Sequence, residues 1–226
     1  MKTLGILGGM GPAATVSFLE KVVRLAGDAW PKTILTMDPA IPSRTLAAMG
    51  RGADPGLQIQ AAIYELESQG ADIIAVPCNS AHAWYPGAGT ETRWLNMPAV
   101  VSDAMKRRGI ERPLICGGYA TIERRLYDPY FAGGAAYLED DGNEDVYRLI
   151  ADIKKDPEPG RKYYRRLRRT IRKFRTVGDA ILLGCTELSI IWPTDAAGDS
   201  VPCGGIPVFD SSWEYAKAIM RKLREG

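Results

Sequence analysis

The sequence has few of the residues that would point to a metal or a membrane. The 226-residue chain contains one histidine, His82, and four cysteines that lie far apart. No apolar window approaches the roughly 20 residues that a membrane-spanning helix needs. The 29 lysines and arginines nearly balance the 27 acidic residues, and the net charge of +2 gives no indication of a nucleic-acid or membrane partner.

Signals for export are also lacking. Gly8, Gly9, Gly11 and Pro12 interrupt the apolar start of the chain too early for a signal sequence. We therefore expect a cytoplasmic protein with reduced thiols. Its cysteines are then buried apolar residues, metal ligands or catalytic groups, because disulfides rarely persist in that compartment.

The alternation of strand and helix patterns predicts an α/β protein. Strands are expected at residues 3–7, 32–37, 71–76, 98–101, 113–116, 180–183 and 205–210. Helices are expected at residues 13–25, 57–69, 143–155, 161–175 and 212–223, with another following residue 101 as far as 108, and a loop at 85–96. This order implies mostly parallel sheets flanked by helices. We expect two similar lobes facing one cleft: residues 1–98 plus 208–226, and residues 99–207.

Two apolar runs each end at a cysteine. Residues 71–76 lead to Cys78, and residues 180–184 lead to Cys185. Both cysteines follow a strand and precede an expected helix start, where the pKa of a thiol is lowered. Two such groups on opposite sides of a small molecule could remove and return a proton at carbon. Burial as small apolar side chains is the competing interpretation, and spacing does not decide between them.

Other features at the same sheet edge suggest ligand binding. The glycine loop at residues 8–12 opens a helix, whose N-terminus favours an anion. Residues 9–14 loosely fit a dinucleotide fingerprint, with Asp38 placed for a ribose, so an NAD-dependent dehydrogenase is one alternative. No Gly-Lys-Ser/Thr follows, which excludes a P-loop. Arg44 could bind a carboxylate in a bidentate way, or be a solvated loop residue. A non-catalytic ligand-binding protein is the second alternative.

A zinc site is not expected. Cys78, His82 and Cys185 could contribute ligands, but the sequence supplies no convincing fourth. His82 is expected either to orient a neighbouring cysteine or to be a satisfied structural residue.

The segment at residues 161–175 contains nine basic residues and no acidic one. Its apolar residues recur at helical spacing, which indicates that one face packs on the core. The other face is expected to be solvated, or to form salt bridges with the acidic residues of 139–145. Because the aromatic residues lie on the apolar stripe, we expect no nucleic-acid partner.

Four segments together resemble the aspartate/glutamate racemase family. They are GILGGMGPAAT at 5–15, IPSRT at 41–45, VPCNSAH at 76–82 and LGCTEL at 183–188. The resemblance implies two similar α/β lobes with the active site between them, and a homodimer. It also implies a racemase of aspartate, glutamate or both that uses neither pyridoxal phosphate nor a metal, with two cysteines as opposed acid and base at the α-carbon.

The resemblance also assigns roles to residues. It implies that Cys78 and Cys185 are catalytic and that Lys154, or the adjacent Lys155, assists Arg44 with the side-chain carboxylate of the substrate. His82 and Glu187 are expected to support the cysteines. The other implied substrate-binding residues are Gly9, Met10, Asn79, Ser80, Thr121 and Thr186. Ser80 replaces a threonine of the family pattern, and Tyr119 enters near Thr121. These departures leave open another amino-acid racemase, epimerase or related isomerase.

Overall fold

Two parallel β-sheets carry the fold, as the alternation of patterns predicted. The computed structural model describes residues 2–86, 92–138, 140–156, 158–174 and 177–225. The strands are β1 (Leu4–Gly8), β2 (Thr33–Met37), β3 (Ile73–Ala75), β4 (Leu114–Gly117), β5 (Ala136–Tyr137), β6 (Ile181–Gly184) and β7 (Val208–Asp210). The α-helices are α1 (Pro12–Ala26), α2 (Arg44–Ala48), α3 (Gly56–Ser68), α4 (Met97–Lys106), α5 (Tyr119–Glu123), α6 (Asp140–Lys155), α7 (Arg161–Lys173), α8 (Thr186–Ile191) and α9 (Ser211–Arg224). Two 3₁₀ helices span Asn79–Trp84 and Asp128–Tyr130.

The two sheets repeat one strand order. The first is β2-β1-β3, the second is β5-β4-β6-β7, and every pair of neighbouring strands is parallel. In both sheets the first strand in sequence lies between the second and the third. Because parallel strands end at the same edge, the glycine loop after β1 and Cys78 after β3 come to one edge. Gly118 and Cys185 follow β4 and β6 in the same way.

Some elements differ from the sequence predictions. The strand expected at 98–101 is wrong, since these residues lie in α4. The Asn96 side chain accepts a hydrogen bond from the Ala99 N–H at 3.0 Å, and Pro98 lies in the first turn, so a cap and a proline begin a helix there. The two-residue strand β5 and the short helices α2 and α5 were not predicted.

Three of the predicted segments are described only in part. Residues 87–91 of the loop, residue 139 of the acidic segment and residue 175 of the basic segment lie outside the described residues. In the remainder of the basic segment, Leu167 and Ile171 are buried. Arg166 pairs with Asp152 of α6 at 2.8 Å, and it reaches the acidic segment only at the backbone oxygen of Asp145, at 3.5 Å. Throughout the described ranges, no helix is long and apolar enough to cross a membrane.

Helix α9 joins the two lobes. The strand before it, β7, pairs with β6 in the second sheet, although the predicted boundary at residue 208 placed it in the N-terminal lobe. Asp210 caps α9 by accepting hydrogen bonds from the N–H groups of Ser212 at 2.7 Å and Trp213 at 3.2 Å. Its other carboxylate oxygen lies 3.5 Å from Nζ of Lys21 in α1. Helix α9 packs against both α1 and α4. The exact limits of the two lobes stay a prediction.

Candidate active site

A cavity of about 320 Å³ opens between the carboxyl edges of the two sheets. The first lobe contributes the loop from β1 into α1 and the loop from β2 into α2, and the second lobe contributes the end of α6 and part of α8. Five of the predicted site residues line this cavity: Gly9, Met10, Arg44, Lys154 and Glu187. The cavity is therefore built from both halves of the chain.

The glycine loop needs its glycines. Gly9 has φ of 88°, and a Cβ at this position would lie 2.7 Å from the Asp38 nitrogen, so a side chain is excluded. A Cβ on Gly11 would lie 2.3 Å from Oε1 of Glu187. The Glu187 carboxylate thus lies against the residue before α1, where a dinucleotide pyrophosphate would approach. Asp38 accepts a hydrogen bond from the Ala40 N–H at 2.8 Å within its own loop.

Both cysteines lie immediately before a short helix, as predicted. Cys78 precedes the 3₁₀ helix Asn79–Trp84, and Cys185 precedes α8. The Cys78 Sγ lies 3.4 Å from the Ser80 Oγ. The Cys185 Sγ donates to Oε2 of Glu187 at 2.9 Å.

The expectation that the position before a helix lowers the pKa of the thiol was wrong for Cys185. Burial raises the pKa of Cys185 well above its ordinary value, and the negative charge of Glu187 raises it further. The ammonium of Lys154 opposes this shift. These effects favour the protonated thiol of Cys185, which is the form that can donate a proton.

Lys154 links the two cysteines to one site. Its Nζ lies 3.4 Å from Oε1 of Glu187. Burial lowers the pKa of Lys154, but attraction to Glu187, Cys185 and Cys78 outweighs both burial and the repulsion from Arg44, so the pKa is raised overall. A single ammonium thus lies within electrostatic range of both thiols. Of the two adjacent lysines that the sequence left open, Lys154 lines the cavity, whereas Lys155 borders a separate surface depression.

The Arg44 guanidinium donates hydrogen bonds to the backbone of two loops at the cavity. Its Nη1 donates to the carbonyl oxygens of Ile41 at 3.1 Å and Pro42 at 2.9 Å, and its Nη2 donates to that of Met10 at 2.8 Å. The Nε is buried and has no hydrogen-bond partner. A guanidinium has five N–H donors. Two of them therefore remain for a ligand, one of which is a buried donor that lacks an acceptor.

Asn79 ties the loop of one cysteine to the strand of the other. Its Oδ1 accepts from the Tyr127 hydroxyl at 2.5 Å, and its Nδ2 donates to the Ser211 Oγ at 2.9 Å. The Ser211 hydroxyl donates to the carbonyl of Leu183 at 2.7 Å, two residues before Cys185. Tyr127 and Ser211 were not predicted as site residues, because neither lies in a recognisable motif. Half of the hydrogen-bonding capacity of Asn79 is therefore used within the protein.

The remaining predicted residues lie around the cysteine loops. Ser80 contacts Cys78, and Thr186 is buried in the first turn of α8. Thr121 is buried in α5, which packs against α2 and the 3₁₀ helix after Cys78. The second lobe therefore contacts the first beside the loop of Cys78.

His82 is a buried structural histidine. Its Nδ1 accepts a hydrogen bond from the Met97 N–H at 3.4 Å, so its Nε2 carries the proton and donates to the Val76 carbonyl at 3.1 Å. Both ring nitrogens are thus occupied, which leaves none for a zinc ion. In the described part of the chain no group of three histidine, cysteine, aspartate or glutamate residues could hold a metal ion. Because Val76 lies two residues before Cys78, His82 positions that loop through its backbone.

Acid should destabilise the protein through His82. Burial lowers its pKa from the ordinary 6.5 to about 3. Between these values the unfolded chain binds a proton that the folded protein does not, so stability is full above pH 6.5 and falls as the pH decreases towards 3. We expect a loss of up to about 1.4 kcal/mol per pH unit in urea unfolding.

The matched variant for this experiment is His82→Gln, which can still donate and accept a hydrogen bond. His82 is the only histidine, so few other side chains titrate between pH 6.5 and 5.5. The variant should lose less stability over this interval than the wild type. Equal slopes of unfolding free energy against pH would contradict the assignment.

The chain is similar to several amino-acid racemases. It is 27% identical over 233 residues to the broad specificity amino-acid racemase RacX of Bacillus subtilis (strain 168). The aligned region covers 96% of each of the two chains. The structure of Picrophilus torridus aspartate racemase matches with a TM-score of 0.82 at 28% identity, over 99% of this chain and 94% of that one. An aspartate racemase homologue from Pyrococcus horikoshii OT3 shares the fold, with a TM-score of 0.68 at 21% identity over the full length of both chains.

The sequence pattern of the family agrees with these similarities. The pattern of Asp/Glu/Hydantoin racemases matches residues 7–219, which is most of the chain. This match replaces both the dehydrogenase and the non-catalytic alternatives. The protein therefore belongs to the Asp/Glu/hydantoin racemase family and is an isomerase of a cofactor-independent kind.

Proposed function

We propose that the protein interconverts the L and D enantiomers of aspartate, glutamate or both, with Cys78 and Cys185 as the two proton-transfer groups. The observation that carries the proposal is the placement of the thiols. They follow equivalent strands of two equivalent sheets, and the Lys154 ammonium at the cavity lies within electrostatic range of both. An α-carbon held between the lobes can then exchange its proton on opposite faces.

The reaction consists of two proton transfers. The thiolate of one cysteine removes the α-proton, so the C–H bond breaks, an S–H bond forms and the electron pair moves into the carboxylate of the substrate. The thiol of the other cysteine then gives its proton to the opposite face of the carbon. Lys154 and the backbone N–H groups that follow each cysteine favour the negative charge that develops.

Two cations at the cavity favour an acidic side chain. The unpaired Nε of Arg44 can donate to a carboxylate, and Lys154 adds a positive charge. Glu187 offsets part of this charge, and the similarity to a broad-specificity racemase makes other amino acids a reasonable second candidate. Gly9, Met10 and the hydroxyls of Ser80, Thr121 and Thr186, with Asn79, would hold the rest of the substrate. The homodimer and the cytoplasmic location stay predictions.

The test follows the α-proton by NMR in deuterated water. Each enantiomer of aspartate and glutamate is incubated with the protein, and the neutral isosteres asparagine and glutamine serve as matched controls. We expect deuterium incorporation and inversion of the acidic amino acids from both directions, with much slower turnover of the amides. Faster turnover of the amides would contradict the acidic preference. Absence of exchange with every acidic substrate would rule out the proposed activity.

A further inference from the structure

The two cysteine loops share a geometry but differ in one side chain. In each loop the sulfur contacts the residue two positions later, which is Ser80 for Cys78 and Glu187 for Cys185. A hydroxyl can either donate or accept a hydrogen bond, so the first contact leaves the protonation of Cys78 open. An ionised carboxylate only accepts. Because Glu187 forms an ion pair with the Lys154 ammonium at 3.4 Å, it acts as a carboxylate, and the 2.9 Å contact is made by a proton on the sulfur of Cys185.

The Glu187 carboxylate is held in place from three sides. Oε2 accepts from Cys185 at 2.9 Å, and Oε1 lies 3.4 Å from Nζ of Lys154. The close approach to Gly11 leaves no room for a side chain there. Glu187 is 5% exposed, so water screens its charge poorly. The other charged or titratable groups near this cluster are Arg44 and Cys78, which interact with Lys154.

We propose that Glu187 is a positioning residue that keeps the proton on Cys185, so that Cys185 is the acid and Cys78 the base in the resting enzyme. For the racemisation step, the inference rests on the proposed function. The α-proton passes to Cys78, and Cys185 gives its proton to the opposite face, which leaves a thiolate beside Glu187. Repulsion by the carboxylate disfavours that form, and exchange of protons with water restores the resting state.

The difference in protonation between the two cysteines should give the two enantiomers different values of kcat and KM. The enantiomer that presents its α-hydrogen to Cys78 needs the form in which Cys185 is protonated, whereas the other needs a thiolate beside Glu187 and shows a weaker apparent affinity. Since enantiomers are equal in free energy, kcat/KM is the same in both directions. Both kcat and KM are therefore higher for the second enantiomer. Glu187→Gln should bring the two KM values together.

The direct test is alkylation of the substrate-free protein with iodoacetamide, with each cysteine followed by peptide mass spectrometry between pH 6 and 10. Only the thiolate reacts. Cys78 is 9% exposed and Cys185 is more accessible, so access alone would make Cys185 react first. We expect the reverse order at pH 7.5, with Cys78 about tenfold faster. A faster reaction of Cys185 in the wild type would overturn the inference.

Two variants should shift the pH dependence of Cys185 alkylation in opposite directions. Glu187→Gln removes the negative charge and should speed alkylation of Cys185 about tenfold at pH 7.5, which corresponds to roughly one pKa unit. Lys154→Met removes the positive charge and should slow it, while Lys155→Met is the matched control without effect. If Glu187→Gln has a native circular dichroism spectrum and the alkylation rate of Cys185 depends on pH as in the wild type, the role of Glu187 is contradicted. Alkylation needs no substrate, so this result is independent of whether aspartate or glutamate is racemised.

Discussion

Replacement of either Cys78 or Cys185 by serine should reduce racemisation of the acidic amino acids by about 10³-fold. A positioned acid or base contributes typically 10²- to 10⁴-fold to a rate. A serine hydroxyl fills almost the same space as a thiol, but it ionises far less readily and is a poor proton-transfer group at carbon. The measurement is the initial rate of inversion by polarimetry in both directions.

The two serine variants should differ in the partial reaction that they keep. In Cys185→Ser, the remaining Cys78 can still remove the α-proton of one enantiomer and return a deuteron to the same face. NMR in deuterated water should therefore show exchange without inversion for that enantiomer alone. Cys78→Ser should show exchange without inversion for the opposite enantiomer alone.

A third cysteine supplies the control for these variants. Cys203 is buried in the hydrophobic core of the second lobe, so Cys203→Ala should keep racemisation near the wild-type rate. If either Cys78→Ser or Cys185→Ser inverts the substrate at the wild-type rate, the two-base mechanism is ruled out.

Asn79→Leu should lower the free energy of unfolding by about 3 kcal/mol. Leucine has a similar volume, but it removes the acceptor of the Tyr127 hydroxyl and the donor to the Ser211 Oγ. A buried polar group that loses its partner costs about 1–3 kcal/mol. Tyr127 is fully buried, whereas Ser211 still donates to Leu183, so most of the loss should come from Tyr127. Urea unfolding of both proteins measures the difference.

The double variant Asn79→Leu with Tyr127→Phe provides the control. Removal of both partners of a buried hydrogen bond costs less than removal of one. The double variant should therefore be more stable than Asn79→Leu alone, by about 1–2 kcal/mol. If the destabilisation by the two substitutions were additive, the hydrogen bond between Asn79 and Tyr127 would have no role in joining the lobes.

Features that depend on neighbouring residues could be predicted from the sequence. The glycine loop, the strands that end at Cys78 and Cys185, and the apolar face of α7 all follow from local patterns. The wrong strand at 98–101 arose because Val100 and Val101 favour a strand, whereas the Asn96 cap and Pro98 begin a helix. In that case capping outweighs the propensity of a short segment.

Features that depend on distant residues could not be predicted. The choice between Lys154 and Lys155 depends on which side of α6 faces the cavity, and thus on how the lobes meet. The raised pKa of Cys185 depends on burial and on the direction of the Glu187 side chain. Asn79 contacts Tyr127 and Ser211, which are 48 and 132 residues away in sequence. No spacing rule connects such residues before the chain is folded.

The shared strand order of the two sheets has a consequence for symmetry. Each half of the chain supplies one thiol, so two identical halves facing each other would form a site with a two-fold axis. In such a site the residue two positions after the cysteine would be the same on both sides. Encoding both halves in one chain removes that constraint, so position 80 can be a serine while position 187 is a glutamate. The two cysteines can therefore have different neighbours, although the two amino acids that a racemase interconverts are mirror images.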